Sequence, residues 1–302
     1  MTGKIKIGIA KIIESGSRSP SNLSQGPEAM ESGGLHQLLE KLDCDLVESK
    51  TATLTPEEEK EYGAWHRLGL ANRHLRNIVA DQRRRGLFTL GLLSNCNALM
   101  GMLAGHQHGG PTKRPLKVGL IWIDAHGDIN TPDTTLSGML GGMPVAISTG
   151  LCLPRLRRKC GLDPALPTRY VTMAAVRDTD PLEQELLDRT EIPHITTKHI
   201  RDLSPVIDLE MERLAIITDT TYVHIDMDAL TPDEAPGHGL TVPGGPTSKE
   251  MAGALEMMFE HPSANAFGIA SYPAGRDPDG RSLKAAYNMV EGVINGLKNR
   301  EP

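Results

Sequence analysis

Aromatic side chains are scarce in this sequence: three Phe, five Tyr and two Trp, 3% of 302 residues. A core built from it has to be mainly aliphatic, and the 39% of hydrophobic residues suffices for a substantial one. Cysteine is scarce too. Cys44, Cys96, Cys152 and Cys160 show no C-x-x-C spacing. A chain of this size needs no disulfide framework, so they read as reduced thiols of a cytoplasmic protein. No apolar run is long enough to span a membrane. The amino terminus, MTGKIKIGIA, has no signal-peptide pattern and leads directly into a first strand. The formal charge is −6. The basic runs Arg83-Arg84-Arg85 and Arg155 to Lys159 read as solvated helix ends, with no nucleic-acid motif beside them. A disulfide scaffold, a membrane partner and a nucleic-acid partner are thereby disfavoured. The length suits one α/β domain, 1–302.

The most informative stretch is Val118 to Pro144, VGLIWIDAHGDINTPDTTLSGMLGGMP. Val118 to Ile123 is an unbroken apolar or glycine run, the pattern of a buried parallel strand. Acids follow at once, at the carboxyl edge where open α/β sheets bind ligands. Asp124, His126 and Asp128 alternate, so an extended backbone sends all three to one side. Two carboxylates and an imidazole suit a divalent ion such as Mn²⁺, Zn²⁺ or Fe²⁺. Alone, DAHGD reads equally well as a polar turn. A second β-rich run, YVHIDMD over Tyr222 to Asp228, also ends in alternating acids, Asp226 and Asp228. Burying so many carboxylates at adjacent strand ends is very unfavourable without cations. Two such clusters therefore argue for two metals.

The remaining elements alternate. KIKIGIA reads as strand one, Glu14 to Pro27 as a loop, and GPEAMESGGLHQLLEKL as a helix with Leu35, Leu38, Leu39 and Leu42 on its apolar positions. Thr55-Pro56-Glu57-Glu58 is a capping box that should open a mostly polar surface helix up to about Arg85. LFTLGLL, RYVTMAA and Ala266 to Ala270 read as further strands. ALMGMLAG reads as a helix after the first of these. Another follows Thr247 to about Glu260, and a last one runs from about Ser282 to Asn299. This alternation predicts a doubly wound α/β/α domain of three layers with a mostly parallel sheet.

DAHGDIN and DMD together resemble the two signature motifs of the arginase/agmatinase (ureohydrolase) family, and the likeness runs over nearly the whole chain. The resemblance implies the arginase fold, a cytoplasmic hydrolase of linear amidines, and two Mn²⁺ ions. Asp124 and Asp226 would bridge them, with Cys96 and Asp128 completing one site and His126 and Asp228 the other. Water so activated would attack a guanidino carbon, with Asp128 accepting its proton. Cys96 is a departure: it aligns with a histidine ligand, by the helix spacing to Gly101 and Gly105. Its thiolate would shift preference toward Zn²⁺ or Fe²⁺; otherwise it is a small buried residue.

Further likenesses concern the substrate. Asn130, Thr135 and Ser137 match positions that hold an α-carboxylate. Asp180 and Glu183, in VRDTDPLE, match positions that contact an α-amino group, although acids at a helix start also suit its dipole. Two family residues are missing. Gly141 stands where arginases carry a proton-shuttling histidine, and Ser271 where they carry a glutamate that pairs with the guanidinium. His238, in the Pro/Gly-rich loop after DMD, is the spare histidine that could replace the shuttle, or is merely loop polarity. The site pattern is closest to Nω-hydroxy-L-arginine hydrolases. It implies a small guanidino substrate, arginine-like, cleaved to ornithine and urea or hydroxyurea. The alternatives are guanidinobutyrate, agmatine or formiminoglutamate, or an inactive metal-binding homologue. Family members are often trimers or hexamers, and a monomer is equally open.

Overall fold

The computed structural model describes residues 3–16 and 22–300. Residues 17–21 of the expected Glu14 to Pro27 loop lie outside them. Eight strands form one sheet: β1 Ile5–Ile12, β2 Cys44–Ala52, β3 Phe88–Leu93, β4 Val118–Ile123, β5 Val171–Ala174, β6 His194–Ile195, β7 Thr220–Asp226 and β8 Ala264–Ala270. Their order is β2-β1-β3-β8-β7-β4-β5-β6, and every pair is parallel. The helices are α1 Gly26–Met30, α2 His36–Lys41, α3 Ala64–Arg84, α4 Leu99–His108, α5 Pro144–Ser148, α6 Pro154–Lys159, α7 Pro181–Asp188, α8 Thr197–Arg201, α9 Val206–Ile217, α10 Ser248–Glu260 and α11 Arg281–Asn299. No described helix is long and apolar enough to cross a membrane.

The two faces of the sheet follow the two-residue period of its strands. Ile121 and Ile123 of β4 face a core with Val223, Ile225, Phe267 and residues of α1, α2, α9, α10 and α11. Leu120 and Trp122 face the opposite core, with Tyr222, Ala266 and residues of α3, α4, α5 and α7. Both faces are therefore covered, and β3, β4 and β7 are buried from end to end. Four of the ten aromatics sit at the centre: Trp122, Tyr222, Phe259 and Phe267 are fully buried. On α11, Gly292 lets the helix lie directly on α10, because a Cβ there would run into the carbonyl oxygen of Ala252.

Three local expectations change. The Thr55–Glu58 capping box forms, with Thr55 N donating to Glu58 Oε2 at 2.9 Å and Glu58 N to Thr55 Oγ1 at 3.2 Å. It caps only the 3₁₀ turn Glu58–Lys60, because Gly63 at φ 96° breaks the chain before α3 begins. α3 itself buries Leu68, Ala71, Leu75 and Val79, so it is amphipathic rather than a surface helix. The helix expected over Gly26 to Leu42 is interrupted by a π-turn at Glu31–Leu35, where Gly34 has φ 124°.

Candidate active site

The acidic side chains sit on adjacent strand ends. Cys96 follows β3, Asp124 follows β4, Asp226 ends β7 and Ser271 follows β8, four neighbours in the sheet. Past β4 the chain bends at Asp124 and Ala125 and bridges once more, His126 beside Asp178. Asp124 N donates to Ala174 O, and Ala125 O accepts from Arg177 N and Asp178 N. It then turns, with Asp128 in the left-handed region at φ 45°. Asp128 thus reaches the cluster by a turn, not along the uninterrupted extended backbone that its spacing suggested. Asp226 Oδ1 accepts from Asp228 N at 3.0 Å, which curls the second acidic pair into a 3₁₀ turn.

The groups converge closely. His126 Nδ1 lies 3.2 Å from both Asp124 Oδ1 and Asp228 Oδ2. The Cys96 thiol lies 2.9 Å from Asp226 Oδ2. Three sets, each within 4.8 Å, are Cys96 with Asp124 and Asp128, Asp124 with His126 and Asp228, and Asp226 with Asp228 and His238. Burial first, and neighbouring carboxylates second, push Asp128 and the Cys96 thiol well above their ordinary ranges. The same causes lift Asp228 to about 6, with Asp124 as the charged neighbour. Burial pulls His126 down, but hydrogen bonds to Asp124 and Asp228 outweigh it and carry it to about 11. Four buried carboxylates beside two imidazoles, His126 and His238, lack countercharge, so the cluster draws protons unless cations take their place. Oxygen, imidazole and thiol donors at this spacing fit a pair of divalent ions.

These groups form the inner wall of a pocket of about 360 Å³. Asn130, Ser137, Asp180 and Glu183 line it farther out, and Leu136, Met139 and Leu240 stand at its rim.

The arginase family model matches residues 25–294. Over 247 residues the chain is 32% identical to an arginase of Bacillus caldovelox, covering 79% of this chain and 81% of that one. An arginase of Agrobacterium fabrum (strain C58) is 28% identical over 297 residues, 93% of this chain and 88% of that one. The solved Bacillus caldovelox arginase superposes with a TM-score of 0.81 at 27% identity, covering 97% of this chain and 98% of that one. The chain belongs to the arginase family. It is accordingly a metal-dependent hydrolase acting on linear amidines.

Within this arginase-family site the expected substrate residues behave unequally. Asn130 is buried and donates through Nδ2 to Asp180 Oδ2 at 3.2 Å. Ser137 lines the pocket, whereas the Thr135 hydroxyl accepts from Gly138 N at 3.1 Å, within its own turn. Glu183 is in the wall, yet Oε1 accepts from Ile129 N at 3.0 Å and Oε2 from Asp180 N at 3.1 Å. It therefore holds the turn after Asp128 against α7. His238 is buried, with Nδ1 accepting from Leu240 N at 3.3 Å and Nε2 lying 3.4 Å from Asp226 Oδ1. Nε2 has no hydrogen-bond partner among the described residues. Among the described residues, then, the loop histidine faces the cluster rather than solvent. Ser271, at φ 64°, donates from Oγ to Asp226 Oδ2 at 2.5 Å. Among the described residues a Cβ at Gly141 would meet nothing within 4 Å.

Two positioning groups were not foreseen. Arg177 donates to the carbonyls of Ala175, Asp228, Val242 and Pro243, buckling the loop after β5 to the loop after β7. Trp122 Nε1 donates to His126 O at 3.3 Å while its ring stacks on His224. Arg177 stood in the VRDTD run already singled out, but its partners are backbone carbonyls, which leave no trace in sequence.

Proposed function

We propose that residues 1–302 act as one catalytic domain that hydrolyses the guanidino C–N bond of an arginine-type amino acid. The favoured substrate is Nω-hydroxy-L-arginine, cleaved to ornithine and hydroxyurea. The observation that carries this reading is the contrast between the acidic donor cluster and the two neutral positions beside it. The Ser271 hydroxyl bonds to Asp226 and offers no charge to a guanidinium. Among the described residues nothing comes within 4 Å of a Cβ built at Gly141, where a shuttle side chain would stand. N-hydroxylation makes a guanidine less basic and its loss of charge less costly, so that substrate suffers least from both.

Cys96, Asp124, His126, Asp128, Asp226 and Asp228 would hold two divalent ions, Mn²⁺ by family likeness, with the thiol tolerating Zn²⁺ or Fe²⁺. When bound, the pair supplies Lewis acidity and a nucleophile at neutral pH. Water oxygen bonds to the guanidino carbon and its proton passes to Asp128. The bond to the amine nitrogen then breaks, its electron pair stays on nitrogen, and a proton is returned there. His238, buried with Nε2 aimed at the cluster, would return it as a partial substitute for a shuttle, because it donates only as an imidazolium and Nδ1 must then give up the Leu240 N–H it accepts. Asn130 and Ser137 would receive the carboxylate of the amino-acid head.

One observation favours a second reading, a guanidino or amidino substrate without an α-amino group. Asp180 already accepts from Asn130 Nδ2 and Leu136 N, and Glu183 from two backbone amides. Both acids thus have internal partners. The deciding assay offers L-arginine and Nω-hydroxy-L-arginine to the Mn²⁺-reconstituted protein and measures urea and hydroxyurea. Turnover confined to the hydroxylated substrate supports the proposal. Turnover of arginine at equal efficiency removes the role given to Gly141 and Ser271. If neither reacts and a decarboxylated or deaminated analogue does, unaffected by Asp180→Ala, the second reading takes its place.

A further inference from the structure

The arginine run that ends α3 separates into two behaviours. Arg85 pairs with Glu48 Oε2 at 2.6 Å and Asp81 Oδ2 at 3.2 Å. Arg83 and Arg84 instead line a cleft of about 540 Å³. It opens where β1, β3 and β8 begin, at Ile5, Phe88 and Asn265, the sheet edge opposite the acidic cluster. Lys6 and Arg300 also line it, and among the described residues no acidic one does. The protein as a whole carries a formal −6, so this cleft inverts the prevailing charge.

The guanidinium groups are held in place. Arg83 is half-buried and donates from Nη1 to Thr220 Oγ1 at 3.0 Å. Arg84 donates to His108 O at 3.3 Å, and Arg300 donates to Phe259 O at 2.8 Å and to Ala264 O. Caps on carbonyls at helix ends give partial negative charge. They leave most of the five donors on each guanidinium free. Asp219, whose charge reaches Arg83, spends Oδ2 on Lys117 N at 2.8 Å. Among the described residues no carboxylate within 4.0 Å pairs with Arg83, Arg84, Arg300 or Lys6. Burial lowers Arg83 from its ordinary range, with the Asp219 charge opposing, and lowers Arg300 to about 10.

We propose that this cleft binds a small multivalent oxyanion, a phosphate-bearing or polycarboxylate metabolite, at a site separate from the catalytic pocket. Forked guanidinium donors fixed by their own caps suit planar or tetrahedral oxyanions. The volume lies within the range of small-molecule sites. Bound there, the anion would tie the start of three strands to the ends of α3 and α11 and stabilise the folded chain by mass action.

The test is calorimetric titration of the metal-loaded protein with inorganic phosphate and, separately, with succinate, ionic strength matched with NaCl. The comparison is the double variant Lys6→Ala/Arg84→Ala. Both residues are exposed and far from the acidic cluster, so fold and basal turnover should be unchanged. The expected result is saturable binding of one or both anions, with affinity reduced at least roughly tenfold in the variant, as loss of charge-assisted hydrogen bonds dictates. Binding of phosphate alone assigns a phosphate-bearing ligand, and of succinate alone a carboxylate one. The proposal fails if neither anion saturates, if the variant binds equally well, or if NaCl alone reproduces the effect. It also fails if the variant changes the assembly mass but not anion binding, which would make the cleft a contact between copies. None of these outcomes depends on which guanidino substrate the acidic pocket takes.

Discussion

Cys96 Sγ lies 2.9 Å from Asp226 Oδ2 and 3.7 Å from Asp124 Oδ2, a thiol held between carboxylates from two other strand ends. Burial and those carboxylates keep its proton on. A cation reverses this, because a coordinating thiol is deprotonated outright. The Co²⁺-loaded protein should therefore show a near-ultraviolet thiolate-to-metal absorption band, and Cys96→Ser should lose it. Cys96→His should keep two metals per chain while shifting preference from Zn²⁺ toward Mn²⁺ in competition. Absence of the band in the unaltered protein would reduce Cys96 to a small buried residue.

Removing the metals should change how stability depends on pH. Asp228 rises to about 6 from an ordinary 3.8, so the folded chain keeps a proton that the unfolded chain releases between about pH 4 and 6. Stability falls as pH rises through that window. His126 rises to about 11 from 6.5, so its contribution is complete below pH 6.5 and fades as pH climbs toward 11. Both signs agree. The metal-free protein should lose Tm steadily from pH 5 to 9, and the Tm gained on adding Mn²⁺ should grow over the same range as metal replaces proton. A gain independent of pH would mean that the ions do not sit among these side chains.

Packing at Gly292 gives a test of the fold. Replacing glycine by alanine in a helix interior ordinarily gains up to about 1 kcal/mol. At Gly292 the new methyl meets the backbone of Ala252, which cannot yield without moving α10. Overpacking of this kind costs about 1–3 kcal/mol, so the penalty should win. At Gly253, also on α10, the nearest atom is the end of the exposed Leu203 side chain, 3.0 Å away. Thermal melts should show Gly292→Ala lower in Tm and Gly253→Ala unchanged or higher. The opposite order would mean that α10 and α11 do not pack through Gly292.

What sequence could reveal followed burial. β3, β4 and β8 read as apolar runs, and β7 as a β-rich one, because both of their faces are covered. β2 and the two-residue β6 were missed, being edge strands whose partly exposed residues carry a weaker pattern. The acidic cluster was legible because DAHGD and DMD hold acids that folding places together. The turn at Asp128 was not legible, since it depends on Glu183 holding Ile129 N from 54 positions away. Nor could the chain order alone bury His238. The Pro/Gly-rich loop does so locally through Ala235 O and Leu240 N.

Restoring the missing shuttle is the sharpest test of substrate choice. Gly141 lines the pocket, has ordinary negative φ, and among the described residues has no atom within 4 Å of a prospective Cβ. Gly141→His should therefore fold normally and project an imidazole toward the cluster. General acid–base groups contribute roughly 10²–10⁴-fold where protonation limits the rate. Arginine has the poorer prospects without a shuttle, so its kcat/KM should rise roughly tenfold or more, while that for Nω-hydroxy-L-arginine changes less than about threefold. His238→Ala should act in the opposite sense in the unaltered background and be partly rescued by Gly141→His, because the two imidazoles would return the same proton. Metal content measured on each variant separates this from damage to the centre, since His238 Nε2 lies only 3.4 Å from Asp226 Oδ1. If Gly141→His raises both substrates equally, protonation of the leaving amine does not set the selectivity. The neutral Ser271, bonded to Asp226, would then carry it alone.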